Sequence, residues 1–326
     1  MVSTQERRSF PLRVQQSVRS DAEKVASKAK AQAKQQTPST AKRRPGRPKG
    51  SQNKSKADVT LTPELGRIAG TLEALLTLVA GYIPLTYLVL DGHCGHHNAL
   101  QMARQGHLPL ISKRRCDAAL YVPSTGPDAG RGPHRTDGRK LEYNTIPAQY
   151  LKETTVEGNI QTCLYQAPLL HKEFAQALNV VIIAKTNLHT PTRGHVILFS
   201  SDQEITDDTR RDYYGLRFQI ECNFRDAKQY WGLEDFMHVS PTGVTNATNL
   251  ALFMVNVAYR LRTDLHPYDP DYSVLDLKAD CRGYTYVEET IKLLPEKPEP
   301  VLLAKMLNQV ACLGRIHASQ PVFRFP

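Results

Sequence analysis

The stretch "YYGLRFQIECNFRDAKQYW", residues 213–231, carries four polar side chains at successive spacings of 3, 4 and 7 residues. They are Tyr214, Arg217, Glu221 and Lys228. On a continuous helix these spacings place all four along one stripe about 21 Å long. Such a stripe suits a polymer lying along the helix, with Glu221 holding a divalent metal ion while Arg217 and Lys228 bind phosphates on either side. The alternative is a surface row of helical charge pairs.

The net charge of +10 is concentrated at the start of the chain. Residues 1–58 hold 15 Lys and Arg against 4 Asp and Glu, whereas the rest holds 27 against 28. A basic segment of this kind binds phosphate backbones. We therefore expect nucleic acid to be the partner of the N-terminal segment rather than of the whole surface.

Residues 21–60 are rich in Lys, Ala, Gln, Ser and Pro, which predicts a flexible basic tether and leaves open a helix in its first half. Within it, "RRPGRPKG" has prolines on both sides of Gly46 and Arg47, which hold the backbone extended. An extended strand with Arg44, Gly46 and Arg47 fits the narrow minor groove of A/T-rich DNA. The segment resembles an AT-hook, and the alternative is a solvated linker or a nuclear-localisation-like tail.

A helix from Thr62 to Ile83 is predicted next, because Thr62 can cap it, proline follows at the first helical position, and apolar residues recur every three to four residues. The run "PLTYLVLD" is typical of a strand in the middle of a sheet and ends on Asp91. A carboxylate at that position points into the crevice where α/β sheets bind ligands, and the adjacent glycines leave room for a substrate. The alternative is that Asp91 only starts a turn.

The remaining chain is predicted to contain a further strand, His107–Lys113, after a helical connector, Ala99–Gln105. A β-rich insertion then gives way to helices. The predicted helices are Arg210–Tyr230, Val244–Arg262, Tyr286–Leu294 and Val301–Ala318. The six cysteines lie far apart without a CxxC pair, and no apolar run approaches the roughly 20 residues of a membrane span. We expect a cytoplasmic protein without a membrane segment.

The loop after Asp91 contains four side chains that can bind metal: His93, Cys94, His96 and His97. All four belong to one short loop, and no second ligand pair follows at a plausible spacing, which argues against a zinc site.

The pattern Tyr-x2-Arg-x3-Glu-x6-Lys resembles the signature of one large group of bacterial insertion-sequence DDE transposases. The resemblance extends through "LVLDGHCGHHNALQMARQGHLPLISKRRCDAALY" and, more weakly, from Phe10 to about Ala318. It implies a ribonuclease-H-like α/β fold with a β-rich insertion and C-terminal helices, and Mg²⁺ or Mn²⁺ as cofactor. It further implies recombination of DNA by cutting and rejoining phosphodiesters at transposon ends, with a homodimer as a possible assembly.

Carried over to this sequence, the resemblance implies that Asp91 is the second and Glu221 the third metal ligand of a catalytic triad. It also implies that Tyr214, Arg217 and Lys228 contact transposon-end DNA.

The resemblance also exposes a departure. The implied fold begins with a three-stranded meander whose first strand carries the first catalytic Asp, yet here the only strand candidate before the Thr62 helix is Phe10–Gln16. We expect that the first two strands and the first Asp are missing and that the chain is an N-terminally truncated, inactive form. A rival triad of Asp91, Asp202 and Glu221 uses the Asp that ends "HVILFSSD", but it breaks the strand order of the fold.

These observations predict six segments: a remnant core strand (1–20), the basic tether (21–60), a core with Asp91 (61–121), the β-rich insertion (122–206), the glutamate helix with core helices (207–262) and a C-terminal helical segment (263–326). The first functional hypothesis is a DDE transposase. The second is a non-catalytic DNA-binding remnant acting through its AT-hook-like tether. A third is a cellular nuclease derived from the same fold.

Overall fold

The computed structural model describes residues 2–3, 8–17, 20–36, 59–124, 137–190, 192–237 and 239–317. The AT-hook-like segment with Arg44, Gly46 and Arg47 lies outside these residues. The chain divides into two compact units. The sheet unit is Ser17–Arg217, and the helical unit combines Met1–Gln16 with Phe218–Pro326.

Ten strands and eight α-helices follow one another along the described chain. The strands are β1 (Val2–Ser3), β2 (Ser9–Phe10), β3 (Leu88–Val89), β4 (Leu110–Arg114), β5 (Tyr121–Pro123), β6 (Asp137–Lys140), β7 (Leu151–Glu157), β8 (Ile160–Leu169), β9 (Leu178–Asn187) and β10 (Arg193–Ser200). The helices are α1 (Asp21–Gln36), α2 (Pro63–Val79), α3 (His97–Gln105), α4 (Asp207–Leu216), α5 (Gln219–Trp231), α6 (Pro241–Leu265), α7 (Val274–Ile291) and α8 (Pro300–Cys312).

The sheet unit is built on a six-stranded mixed sheet in the order β3-β4-β10-β9-β8-β7. Strands β3 and β4 run parallel and are joined through α3, while every other neighbouring pair is antiparallel. A parallel pair needs a crossover connection of this kind, which α3 provides. The result is a mixed α/β fold consistent with a ribonuclease-H-like architecture, as the sequence predicts.

The core of the sheet unit is formed by its central strands. Strand β9 reads "LNVVIIAKTN", and its consecutive residues Val180, Val181 and Ile182 are all at most 2% exposed. A run of β-branched residues buried on both faces is typical of a central strand. Leu110 of β4 and Phe199 of β10 are fully buried in the same layer.

Helix α2 begins as predicted but ends at Val79, before the predicted end at Ile83. The Thr62 hydroxyl accepts a hydrogen bond from the Leu65 N–H at 3.3 Å, and proline occupies the first turn. Leu65 and Leu72 are buried, seven residues and therefore about two turns apart. From α1, the Glu23 carboxylate accepts a hydrogen bond from the Arg67 guanidinium at 3.0 Å. A helix in the first half of the basic segment, which the sequence leaves open, is therefore present and contacts α2.

Strand β3 differs from its prediction. The run "PLTYLVLD" predicts a central strand, but only Leu88–Val89 is strand, and β3 is an edge strand of the sheet among the described residues. The Leu88 N–H donates a hydrogen bond to the Pro109 carbonyl, and the Leu90 N–H donates one to the Ile111 carbonyl of β4. Strands β7–β10, which belong to the region predicted as a β-rich insertion, continue the sheet that begins with β3 and β4.

The helical unit packs α5 and α6 around Ala227, Leu252 and Val255, all nearly inaccessible to solvent. Its N-terminal segment is held by asparagine side chains. Asn223 donates to the Ser9 carbonyl at 2.9 Å, and Asn256 donates to the Pro11 carbonyl at 2.8 Å. Asn249 binds both the N–H and the carbonyl of Val14, each at 2.9 Å. These amides satisfy backbone groups of a segment that has little sheet pairing of its own.

The predicted strand Phe10–Gln16 is largely wrong, because the strand in this region is Ser9–Phe10 and it pairs with β1. The predicted helix Arg210–Tyr230 is also wrong as a single element, since α4 ends at Leu216 and α5 begins at Gln219. The later helices exist but have other bounds, and Tyr286–Leu294 falls mostly in the last turns of the longer α7. Within the described part of the chain, no helix is both long and apolar enough to span a bilayer.

Candidate active site and nucleic-acid interface

Asp91 lies two residues beyond the end of β3 and is the N-terminal cap of a short 3-10 helix, Gly92–Cys94. Its Oδ1 accepts a hydrogen bond from the His93 N–H at 3.1 Å, and its carbonyl accepts one from the Ser112 hydroxyl at 2.9 Å. The side chain is 63% exposed. The turn-starting role, which the sequence leaves open as the alternative, is therefore real, and it leaves Oδ2 turned to other partners.

Arg217 is the residue of the signature motif that pairs with Asp91. Its Nη1 lies 3.5 Å from Asp91 Oδ2, and its guanidinium carbon is 6.0 Å from the centre of the Tyr214 ring. Burial raises the pKa of Tyr214, and the charge of Asp91 adds to this while Arg217 opposes it. Three of the predicted site residues thus lie together within the sheet unit. Their arrangement offers one exposed carboxylate and one cation at the end of a strand.

The glycines near Asp91 do not leave room for a substrate, and that expectation is wrong. A Cβ on Gly95 would stand 2.2 Å from the Lys113 carbonyl oxygen, and one on Gly92 would stand 3.4 Å from the Lys113 Cβ. The loop therefore packs directly on β4. The Arg114 guanidinium strengthens this packing through a hydrogen bond to the Gly95 carbonyl.

The histidines of the loop have structural partners. His96 is the N-terminal cap of α3, where its Nδ1 accepts a hydrogen bond from the Ala99 N–H at 3.4 Å. Burial lowers the pKa of His96, which favours the neutral ring that this acceptor role requires. His93 Nε2 lies 3.7 Å from a carboxylate oxygen of Glu64. Burial raises the pKa of the Cys94 thiol, which disfavours the thiolate form.

Glu221 and Lys228 lie on α5 in the helical unit. They are seven residues and therefore about two turns apart, so they share one face. An open groove of about 590 Å³ runs along this face. Its lining residues are Glu221, Phe224, Arg225, Lys228 and Gln229. Lys228 Nζ lies 2.7 Å from a Glu234 carboxylate oxygen, and both side chains are at least half exposed.

The stripe predicted for the signature motif is divided in the structure. Tyr214 lies on α4, Arg217 is the C-cap of α4, and Glu221 and Lys228 belong to α5. The prediction of a single helix carrying all four side chains is therefore wrong. Two pairs remain: Tyr214 with Arg217 in the sheet unit, and Glu221 with Lys228 in the helical unit.

Asp91 lies two residues beyond the end of β3, and Asp202 lies two residues beyond the end of β10. Because β3 is parallel and β10 antiparallel to β4, the C-terminal ends of these two strands point in opposite directions. Asp202 Oδ2 accepts a hydrogen bond from the Tyr87 hydroxyl at 2.5 Å, and Oδ1 accepts one from the Glu204 N–H at 2.9 Å. The structure does not bring Asp202 and Asp91 together as the rival triad requires.

Residues 5–166, just under half of the chain, match the family described as DDE superfamily endonuclease. The match supports a DDE transposase-like family. The matched residues include Asp91, whereas Asp202 and Glu221 lie beyond them. No curated protein shows significant similarity to the chain.

DDE endonucleases usually use divalent metal ions, which require a group of acidic side chains that lie close together. Among the described residues, no three His, Cys, Asp or Glu side chains form a group that could hold a metal ion. In the sheet unit Asp91 pairs with Arg217, a cation that competes with a metal for the same oxygen. The described side chains of either unit do not by themselves fit a two-metal centre.

Sequence reasoning missed three residues around Asp202, namely Tyr87, Asn179 and Arg210. Asn179 is 4% exposed and Arg210 is fully buried. Arg210 precedes Tyr213 by three residues and therefore shares its face of α4, which is the only sequence signal available. An arginine at such a position is expected at the surface, so the sequence alone does not identify it as buried.

Proposed function

We propose that the chain is a transposase of the insertion-sequence DDE type that binds transposon-end DNA and does not cut it unaided. Tyr214, Arg217 and Lys228 are the proposed DNA contacts, and Asp91 and Glu221 the proposed carboxylates of the metal site. The observation that carries the proposal is the cluster of Asp91, Arg217 and Tyr214 at the end of β3. It joins two residues of the signature motif, Tyr214 and Arg217, to the carboxylate of Asp91 within the sheet unit.

Binding follows from the chemistry of these side chains. A guanidinium presents several N–H donors in a planar fork that matches a phosphate, and a lysine adds a compact positive charge. The Arg217 side chain is 29% exposed and that of Lys228 is 50% exposed, so both can reach a DNA backbone. Arg217 pairs with Asp91 and Lys228 pairs with Glu234, and ion pairs at the surface contribute little free energy, so they can exchange for phosphate.

The absence of unaided cutting follows from the number of carboxylates. Hydrolysis of a phosphodiester by two metal ions needs a set of acidic ligands that hold both ions. Asp91 and Glu221 supply two, one fewer than the triad that the resemblance implies. Asp202, the other candidate, lies in the loop after β10, a strand that runs in the opposite direction to β3, and accepts a hydrogen bond from Tyr87.

A second candidate function is a DNA-binding module without catalysis, acting through Arg44, Gly46 and Arg47. The observation that favours it is the concentration of 15 basic residues against 4 acidic ones in residues 1–58. It predicts salt-sensitive binding to A/T-rich duplexes that survives loss of the signature motif. A homodimer and a cytoplasmic location remain predictions.

The test combines cleavage and binding. A supercoiled plasmid carrying the terminal sequences that flank the gene is incubated with Mg²⁺ or Mn²⁺ and the chain, Asp91→Asn, Glu221→Gln or Asp202→Asn. We expect no nicking above the Glu221→Gln background. Nicking that is lost in both Glu221→Gln and Asp202→Asn would establish the rival triad instead.

Binding to a labelled terminal duplex is measured by fluorescence anisotropy. We expect Lys228→Ala to reduce the slope of log affinity against log salt by about 0.9, the value for one lost phosphate contact. Lys292→Ala is the matched control, because Lys292 also pairs with one glutamate at 2.7 Å on an exposed helix surface. Equal effects of the two variants would contradict the assignment of Lys228.

A further inference from the structure

Tyr87, at the start of the strand that leads to Asp91, ties two other elements together. Its hydroxyl donates to Asp202 in the loop after β10, at 2.5 Å. Its ring packs against the ring of Tyr213 on α4, with centres 5.4 Å apart. Burial raises the pKa of Tyr87 to about 12, and the bond to Asp202 adds to this, so the hydroxyl remains a donor. One side chain thus links β3, the loop and α4.

Buried polar side chains hold the loop between β10 and α4 through hydrogen bonds to its carbonyls. The Asn179 side chain donates to the carbonyls of Gln203 at 3.0 Å and Ile205 at 3.1 Å. Arg210 donates to the same Ile205 carbonyl at 3.3 Å. Thr206 then caps α4 by accepting a hydrogen bond from the Thr209 N–H. The first turn of α4 therefore has a fixed place beside the sheet.

Arg210 makes Asp202 part of this arrangement. Its Nε and Nη1 are buried and have no hydrogen-bond partner among the described residues. Burial lowers the pKa of Arg210 to about 10, while attraction to Asp207 and Asp202 opposes the shift, so the side chain stays protonated at neutral pH. Withdrawing Asp202 toward a metal ion would remove one of the charges that balance a buried cation, which is costly.

We infer that Asp202 and Tyr87 are positioning residues, which fix α4 beside β3 and so hold Tyr214 and Arg217 next to Asp91. Arg217 lies seven residues, or about two turns, beyond Arg210. A small rotation of α4 would therefore change the distance between Arg217 and Asp91. The inference rests on the proposed function, in which Arg217 contacts DNA.

A double-mutant cycle on DNA affinity tests the inference. The full chain, Asp202→Asn, Arg217→Ala and the double variant are compared by anisotropy on the terminal duplex. All four carry Arg44→Ala and Arg47→Ala so that the basic tether does not mask the effect. We expect Arg217→Ala to weaken binding about fivefold and to reduce the salt slope by about 0.9. We expect Asp202→Asn to weaken binding about threefold when Arg217 is present and not at all when it is absent.

The outcomes separate the two claims. Equal loss from Asp202→Asn in both backgrounds, or no loss in either, overturns the positioning role, since a merely structural defect does not depend on Arg217. No effect of Arg217→Ala on affinity or salt slope overturns the proposed function itself. Tyr87→Phe should repeat the result for Asp202→Asn. Its matched control is Tyr272→Phe, which removes a hydroxyl bonded to Asp280 at 2.6 Å and should leave affinity unchanged.

Discussion

Asp91 and Asp276 both lie at the N-termini of helices, yet the surroundings of their carboxylates differ. The Asp91 side chain is 63% exposed and has one backbone donor and one arginine at 3.5 Å. Asp276 is fully buried. It accepts hydrogen bonds from the backbone and hydroxyl of Ser273, the backbone of Ile316, and the backbone and Nδ1 of His317.

The difference separates a carboxylate that stabilises the fold from one that can exchange its partners. Burial alone would raise the pKa of Asp276, but the bonds from Ser273 and His317 outweigh it and hold the pKa well below its usual range. A carboxylate so fully satisfied stabilises the fold and has no capacity left for a ligand. Asp91, by contrast, can change partners without disturbing a core. The exposed carboxylate is therefore the one suited to binding chemistry.

The sharpest way to break this comparison is Asp276→Asn. We expect it to lower the free energy of unfolding of the helical unit by about 3 kcal/mol, because an amide brings donors toward groups that need an acceptor. Urea unfolding followed by fluorescence of Trp231, the single tryptophan, reports on this unit. Asp271→Asn is the control, since Asp271 is exposed in the same unit. Similar losses from both variants would contradict the contrast.

Lowering the pH should reveal the contribution of the Asp276 carboxylate to the free energy of unfolding. Because the folded-state pKa of Asp276 is depressed, its stabilisation is fully present above the unfolded value of 3.8 and is lost as the pH falls below it. We expect the Trp231 transition to move to lower urea between pH 4 and pH 2, by up to about 2 kcal/mol. Asp276→Asn should show a flatter dependence. An equally steep acid transition in that variant would assign the effect to other groups.

Gly95→Ala tests how firmly the loop after Asp91 is fixed. A Cβ 2.2 Å from the Lys113 carbonyl oxygen must displace the loop or β4, which should cost about 2 kcal/mol. Gly66→Ala is the control, because no atom lies within 4 Å of its Cβ and alanine favours the helix by up to about 1 kcal/mol. Urea unfolding followed by circular dichroism should give changes of opposite sign. A stabilising Gly95→Ala would show that the loop is not anchored on β4.

His96 gives the sheet unit a milder pH dependence. Its folded-state pKa is lowered, so its contribution is present above the unfolded value of 6.5 and declines as the pH falls below it. We expect a loss of about 1 kcal/mol or less on acidification from pH 7 to pH 5, since protonation removes the Nδ1 acceptor that caps α3. His96→Asn keeps a capping acceptor that does not titrate. Circular dichroism at each pH should therefore show a flatter profile in that variant.

The smallest effect on stability is expected for Asp91→Asn, at less than about 0.5 kcal/mol. DNA affinity should rise about twofold, because a negative charge beside Arg217 is removed. Asp117→Asn is matched, since Asp117 is 65% exposed and also pairs with an arginine. That variant should leave DNA affinity unchanged. A large loss of stability in Asp91→Asn would show that the two carboxylates are alike after all.

Local signals predicted the parts of the fold whose causes are local. Thr62 and Pro63 mark the start of α2, and the apolar period defines its buried face. The strand-end position of Asp91 was likewise readable, because an apolar run stops there. The edge position of β3 was not, since it depends on which strands pair with it across the sheet.

The candidate site shows the same division. Spacing placed Tyr214, Arg217, Glu221 and Lys228 on one stripe, because the amphipathic pattern continues across the break between α4 and α5 and does not reveal it. The role of Asp202 depends on Tyr87, 115 residues earlier in the chain. Because the two partners are so far apart in the sequence, only the tertiary structure shows that this aspartate is hydrogen-bonded to a tyrosine and is not free to bind a metal ion.

The asparagine bonds to the N-terminal segment also set an order of events during synthesis. Val14 leaves the ribosome early, but its partner Asn249 is 235 residues later in the chain. At translation rates of about 5 to 20 residues per second, the segment waits roughly 10 to 50 s for that side chain. The sheet unit, which is continuous from Ser17 to Arg217, can fold in the meantime. Val14 is thus secured only after the whole sheet unit has been made, and a nascent chain stalled before Asn249 would leave the backbone of Val14 without this partner.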